Sequence, residues 1–298
     1  MIAFHPIYIH PLPENHRFPM EKYDLLPRQL IHEGVVEKSD FFEPTSIALE
    51  HLLATHAENY WLSLKNLEIT PREQRISGFV HSDQLIEREL TIMEGTRNAA
   101  EIALRTGFGF NIAGGTHHAF YDRGEGFCLL NDQVIAAKWL LQNTSIKRVL
   151  IIDLDVHQGN GTASLLKDEP AIFTFSMHGA GNYPLKKEYS DLDIELPDDC
   201  KDKDFLFLLE ASLDKILSQF QPDFIFYQSG VDVLESDKLG RLSSSQKACY
   251  QRDLIVYQTV QQLKVPVVTT MGGGYSPQIK DIVNAHCNTF KAAFEVLS

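Results

Sequence analysis

Short apolar bursts alternate with helical patterns through the second half of the chain. The bursts run over Phe108–Ala113, Val149–Asp153, Ala171–Ser176, Asp223–Gln228 and Val265–Thr270. Patterns of period near 3.6 fill the gaps at Asn131–Gln142, Thr162–Lys167, Lys203–Phe220 and Gln246–Leu263, and a last helix covers Gln278–Leu297. Strands that alternate with helices predict βαβ units and a parallel sheet covered on both faces. The first half reads differently. It offers a short strand near Ile2–Ile9, a proline-rich turn, a helix from about Met20, and two short helices at Ser46–Ala54 and Ala57–Leu67. The longest helix is expected over Asp83–Arg105, where Leu85, Ile86, Leu90, Met93, Ala100 and Leu104 recur on one face, Ser82 caps the start and Gly107 stops the end. His56 and His81, at the edges of these elements, read as ordinary surface or capping residues. No repeat, low-complexity tract or linker divides the pattern, so residues 1–298 are read as one α/β domain.

Composition narrows the function classes. The chain has 298 residues, 44% hydrophobic and 22% charged, as an ordinary globular enzyme has. A formal net charge of −13 argues against a nucleic-acid surface, which wants a basic stripe, but leaves a basic substrate open. No apolar run approaches the ~20 residues of a membrane span. The start of the chain, with His5, Pro6, His10, Pro11 and Pro13, has no signal-peptide core. Cys128, Cys200, Cys249 and Cys287 are scattered without a C-x-x-C pair, which suits reduced thiols and a cytoplasmic location.

The chemistry concentrates where the bursts end. After Val149–Asp153 the chain carries Asp153, Asp155 and His157 at alternate positions, and Gly159 and Gly161 then let it turn away. Side chains two apart in an extended chain point the same way, so all three are expected to face one spot. One imidazole with carboxylates there is a divalent-metal half-site, and zinc suits mixed nitrogen and oxygen ligands. Ligands of an open parallel sheet sit beyond the carboxyl ends of its strands. The other bursts deliver Gly114-Gly115-Thr116-His117-His118, Ser176 and His178, Ser229-Gly230-Val231-Asp232, and Gly272-Gly273-Gly274-Tyr275 to the same rim. Asp232 is the natural third ligand, giving Asp155, His157 and Asp232 with one position open, as a catalytic zinc keeps. His117 and His118 supply imidazoles for general base work, and Tyr275 a hydroxyl for a developing oxyanion.

Together these segments resemble the zinc-dependent histone deacetylase family, which includes bacterial acetylpolyamine and acetoin-utilisation-type amidohydrolases. The likeness is carried by GGTHHAF (114–120), GEGFCLLND (124–132), DLDVHQGNG (153–161), SMH (176–178), SGVD (229–232) and GGGY (272–275), and extends to HPLPENHRFPMEKY (10–23). The compact chain looks most like class IV members and their bacterial relatives. The resemblance implies the arginase–deacetylase fold, a three-layer α/β/α sandwich on a mostly parallel sheet of about eight strands. It implies zinc on Asp155, His157 and Asp232, His118 as general base and acid, His117 as its electrostatic partner, and Tyr275 as oxyanion donor. Phe127 and Tyr183, with Gly126 and Gly273, would line a narrow tunnel for the stem of an acyl-lysine. Asp153 and Ser176, with the carbonyls of Asp155, His157 and Met177, would hold a potassium ion, and Arg17 would line an internal cavity where acetate leaves.

Two positions depart from the family pattern. Gln158 follows the ligand histidine where a second histidine is common, and Asn160 stands where many members carry an aspartate directed at the second histidine of the pair. An amide would not raise the basicity of His118 as a carboxylate would, so the acid limb of the pH profile is expected to sit lower. The rim aspartate that binds the substrate backbone in some members has no counterpart beyond Asp83. The expected reaction is hydrolysis of an acyl group, acetyl or longer, from the ε-amine of lysine. Acetylpolyamines or other small acylated amines are the alternative substrates. A binuclear manganese hydrolase of the arginase type and a catalytically silent acyl-lysine binder are the competing readings. Oligomeric state is not legible.

Overall fold

A computed structural model describes residues 1–298. The elements follow in the order β1 (Ile2–Ala3), α1 (Lys22–His32), β2 (Phe41–Phe42), α2 (Leu49–Leu53), α3 (Glu58–Lys65), α4 (Pro71–Ser77), α5 (Asp83–Thr106) and β3 (Phe108–Asn111). Then come α6 (Asp132–Asn143), β4 (Val149–Asp153), α7 (Asn160–Leu166), β5 (Ile172–Gly179), β6 (Leu192–Leu196), α8 (Asp202–Gln219), β7 (Phe224–Gln228), α9 (Gln246–Leu263), β8 (Val267–Thr270) and α10 (Ile279–Leu297). Eight strands form one sheet in the order β2-β1-β3-β8-β7-β4-β5-β6, and every pairing is parallel. The strands therefore end at one rim.

Alternation along β4 shows why the sheet carries helices on both sides. Val149 and Ile151 face a cluster built from Ala99, Ala100 and Ala103 of α5, Val134, Ala137 and Leu140 of α6, and Leu166 of α7. Leu150 and Ile152 face the opposite and larger cluster, with Leu209 and Leu213 of α8, Val256 and Tyr257 of α9, and Ile282 and Phe290 of α10. Helix–sheet–helix layering follows from an apolar strand that has no solvent face. The α/β/α expectation holds, with eight strands.

The differences lie at the edges. The strand expected over Ile2–Ile9 stops at Ala3, because Pro6 opens a 3₁₀ turn over Pro6–Tyr8 that His5 Nδ1 caps at Ile7 N. Proline has no N–H to extend a ladder. The two-residue β2, the helix α4 and the edge strand β6 were not anticipated. Strand β5 runs on to Gly179, and α7 starts at Asn160, two residues early.

Candidate metal centre and active site

Asp155, His157 and Asp232 come together below the rim, all buried, with ligand atoms within 4.8 Å of one another. His157 Nδ1 lies 3.1 Å from Asp155 Oδ1 and 3.1 Å from Asp232 Oδ2. Zinc bonds of about 2.0–2.2 Å at tetrahedral angles put ligand atoms about 3.3 Å apart, so the spacing fits that ion. Two carboxylates buried against each other also call for a positive charge between them, a proton or a metal ion. Burial and Asp155 drive the Asp232 carboxyl up to about 7. Burial disfavours a charged His157, but hydrogen bonds with Asp155 and Asp232 outweigh it and lift the ring to about 10. A metal displaces the proton that such a cluster otherwise takes up.

The loops are fixed from behind. Asp232 Oδ1 accepts from Val156 N at 2.9 Å, and Asp155 Oδ2 accepts from Gly273 N at 2.7 Å. A Cβ at Gly273 would run into the Asp232 carboxylate, so only glycine passes there. Asp153 does not share the spot occupied by Asp155 and His157. Strand β4 ends at Asp153, so the alternation that predicted convergence lapses. Asp153 Oδ1 instead accepts from Asp155 N at 3.1 Å, and Oδ2 meets His117 Nδ1 at 2.7 Å.

The two histidines stand with ring centroids 4.0 Å apart, and both are buried. His118 Nδ1 meets Asn160 Oδ1 at 2.6 Å, and an amide oxygen can only accept. The Nδ1 proton is thereby fixed, and Nε2 keeps its lone pair. Burial lowers the His118 pKa well below the ordinary value, and the positive potentials of His117 and His157 add to it. His117 goes the other way: burial opposes its charge, but Asp153 and Asp155 overcome this and raise it. The pair is thus split into a neutral ring and a charge-stabilised one. Tyr275 follows the glycine loop, its ring centroid 6.3 Å from that of His157. Burial and the Asp232 and Asp155 carboxylates raise its pKa well above the phenol value, so the hydroxyl keeps its proton.

An outer cavity of about 540 Å³ reaches down to His118, His157 and Tyr275, with Phe127, Gly126 and Tyr183 along its sides. Tyr183 presents its ring to His118 edge-on, centroids 5.1 Å apart, and its hydroxyl donates to Glu125. Phe127 packs on Phe18, Phe79 and Tyr275 and has a φ of 67°, in the region that favours glycine. Its N–H donates to Ser77 O at 2.8 Å and that of Gly126 to Ile76 O at 3.1 Å, so the unanticipated α4 holds this wall. A Cβ on Gly126 would come 2.6 Å from the His118 ring. Asp153 and Ser176 are register partners on β4 and β5, and Ser176 Oγ lies 2.9 Å from His178 Nδ1.

Several placements correct the sequence reading. Arg17 is exposed and lines the outer cavity, not an internal one. A small inner cavity of about 30 Å³ adjoins the Asp-His-Asp cluster, and the arginine on it is Arg88 of α5, beside Tyr23 and Ile92. Arg88 was missed because it lies on a helix that reads as amphipathic; it donates to Tyr8 O at 2.9 Å and pairs with Glu89. Asp83 is an exposed first-turn residue of α5 and lines neither cavity. His56 is not a surface residue: it is buried between Phe120 O (2.8 Å) and Asn131 N (3.0 Å), and burial lowers it to about 4. Gln158 turns from the Asp-His-Asp cluster toward Glu188 O and Asp193. Two more supports went unnoticed. Lys22 of α1 is buried and donates to Gly272 O at 2.8 Å, bracing the Tyr275 loop. Arg252 of α9 is fully buried, pairs with Asp253, and donates to Gly230 O at 2.6 Å and Leu154 O at 3.4 Å, behind both ligand loops.

Residues 16–290 match the histone deacetylase domain. The chain belongs to the histone deacetylase family. It is 41% identical over 295 residues to an uncharacterized protein of Picosynechococcus, covering 99% of this chain and 98% of that one. It is 29% identical to histone deacetylase 2 of Arabidopsis thaliana, over 87% of this chain and 70% of the plant protein. Among solved structures, a histone deacetylase homologue complexed with SAHA superposes with a TM-score of 0.84 at 25% identity, covering 99% of this chain and 87% of that one. The homologue from Aquifex aeolicus, at 24% identity and a TM-score of 0.85 over 98% of this chain and 83% of its own, shares the fold. The eight-stranded sandwich is thus the arginase–deacetylase fold, and the chain is an amide hydrolase of the histone deacetylase family. No helix is long and apolar enough to cross a membrane.

Proposed function

We propose that this chain is a zinc-dependent lysine deacetylase, with Asp155, His157 and Asp232 as the metal ligands. The observation that carries the reading is the buried Asp-His-Asp cluster at ligand spacing, directly beside a histidine whose Nδ1 is committed to an amide oxygen. Zinc held there supplies Lewis acidity toward the amide carbonyl and the attacking water. His118 Nε2 takes the proton of that water and returns it to the leaving lysine nitrogen. His117, charge-stabilised by Asp153 at 2.7 Å, offsets negative charge as it builds beside its neighbour. The Tyr275 hydroxyl, kept protonated, donates to the carbonyl oxygen as that oxygen becomes anionic. Phe127 and Tyr183, with Gly126 and Gly273 beside them, enclose the aliphatic stem and exclude water. Asp153 at the end of β4 and its register partner Ser176 within β5 would hold a second, monovalent cation such as potassium.

The inner cavity favours acetyl over long acyl groups. Its volume of about 30 Å³ has room for about two waters and none for an extended chain. The test is a panel of lysine peptides acylated with acetyl to myristoyl, assayed with and without chelator. Acetyl is expected to be turned over at least about tenfold faster than octanoyl, and chelator to abolish both. Equal rates for acetyl and myristoyl contradict the assignment.

A further inference from the structure

The mouth of the outer cavity carries charge of the opposite sign to the rest of the chain. The protein has a formal net charge of −13, yet of the thirteen residues lining this cavity none is acidic and two, Arg17 and Arg241, are arginines. Arg17 is exposed and makes no ion pair. Arg241 reaches Asp198 at 3.3 Å across a contact in which both side chains are about half exposed. A second cavity of about 370 Å³ adjoins at Arg17, Leu239 and Tyr275 and adds Lys238 against a single acid, Glu21. Glu125, the acid nearest the tunnel wall, is already engaged by Arg123 on one oxygen and by the Tyr183 hydroxyl on the other. What flanks the acyl-lysine stem therefore meets Arg17, which has no ion pair, and Arg241, which is shared with Asp198, while Lys238 and Glu21 lie together in the adjoining cavity.

We propose that the enzyme selects acylated lysines flanked by a carboxylate, and rejects polycationic amines. This rests on the deacetylase reading above and names its substrate class. A carboxylate beside the stem meets Arg17 and Arg241 while the acyl group reaches the metal centre; a protonated polyamine or a lysine-rich segment meets like charge. Complementarity of this kind acts on capture and register, and so on KM and its salt dependence more than on kcat.

The test compares the zinc-loaded protein on acetyl-lysine peptides with aspartate, alanine or lysine at the flanking positions, on free Nε-acetyl-lysine and its C-terminal amide, and on N8-acetylspermidine. The expected kcat/KM falls from acidic to neutral to basic flanks by about tenfold in all, with the difference in KM and most of it gone at about 0.5 M salt. Arg17→Gln and Arg241→Gln each flatten the series, and Arg17→Glu reverses it; both positions are at the surface, so the fold survives. Preference for free Nε-acetyl-lysine over its amide assigns the carboxylate to the amino acid itself, and preference confined to the peptides assigns it to neighbouring side chains. Turnover that is flat across the flanks or unchanged in the arginine variants overturns the proposal while leaving the deacetylase reading intact; turnover fastest on N8-acetylspermidine overturns the proposal and moves the substrate of that reading from lysine to a polyamine. No turnover of any of these by the zinc-loaded protein overturns both.

Discussion

Replacing Asn160 by aspartate isolates what the amide does for His118. The change is isosteric and places a carboxylate oxygen where Asn160 Oδ1 now sits, 2.6 Å from His118 Nδ1. In the native protein burial, with His117 adding to it, holds the His118 pKa well below its ordinary value, and the amide of Asn160 brings no charge to raise it. A carboxylate about 4 Å from the imidazolium centre contributes about 4 kcal/mol at an effective dielectric of 20. At about 1.36 kcal/mol per pH unit that equals about three pH units, and the cost of burying the new charge takes a share. The sign is fixed: a carboxylate favours the protonated ring, and the protonated ring is not a base. The acid limb of kcat/KM is therefore expected to move toward alkaline pH by about one to three units in Asn160→Asp. The assay is kcat/KM on an acetyl-lysine peptide from about pH 4.5 to 9, with zinc content measured in both proteins so that altered metal occupancy is seen. Superimposable profiles at equal zinc content refute the assignment of His118 as the base.

Other expectations follow from the same geometry. Tyr275→Phe removes one oxyanion donor, and should lower kcat about 10²–10³-fold while zinc content is unchanged, as element analysis and steady-state kinetics will show. Arg252→Met leaves Asp253 buried and unpaired behind both ligand loops. It should cost about 3–5 kcal/mol in denaturant unfolding and weaken zinc binding; a loss below about 1 kcal/mol contradicts that role.

The sheet was legible because its central strands are continuous apolar runs that end in glycine and titratable residues. Val149–Asp153 falls on the predicted residues, and Gln246–Leu263 likewise. What brought the site within reach was spacing: Asp155, His157, Asp232, His117, His118 and Tyr275 all lie just beyond strand ends, so a parallel sheet had to gather them. One edge strand was hidden for a physical reason and the other was not. Strand β2 has two residues, too few for any period, whereas β6 is a Leu-Asp-Ile-Glu-Leu alternation that period-two reading can find. Supports from distant elements left no local trace. Arg252, Arg88 and Lys22 sit on helices where a charged residue ordinarily marks the solvent side, and their partners are backbone carbonyls 22 to 250 residues away in sequence. Asp153 was misplaced because alternation was carried past the last residue of β4.

One metal held by Asp155, His157 and Asp232 is proposed to make this site work, and turnover of an acetyl-lysine peptide by chelator-stripped protein during stepwise addition of zinc tests it. Activity is expected to be absent at the start, to rise linearly, and to reach a plateau at one equivalent per chain. Activity that survives stripping, or that appears only as a second equivalent binds, contradicts it.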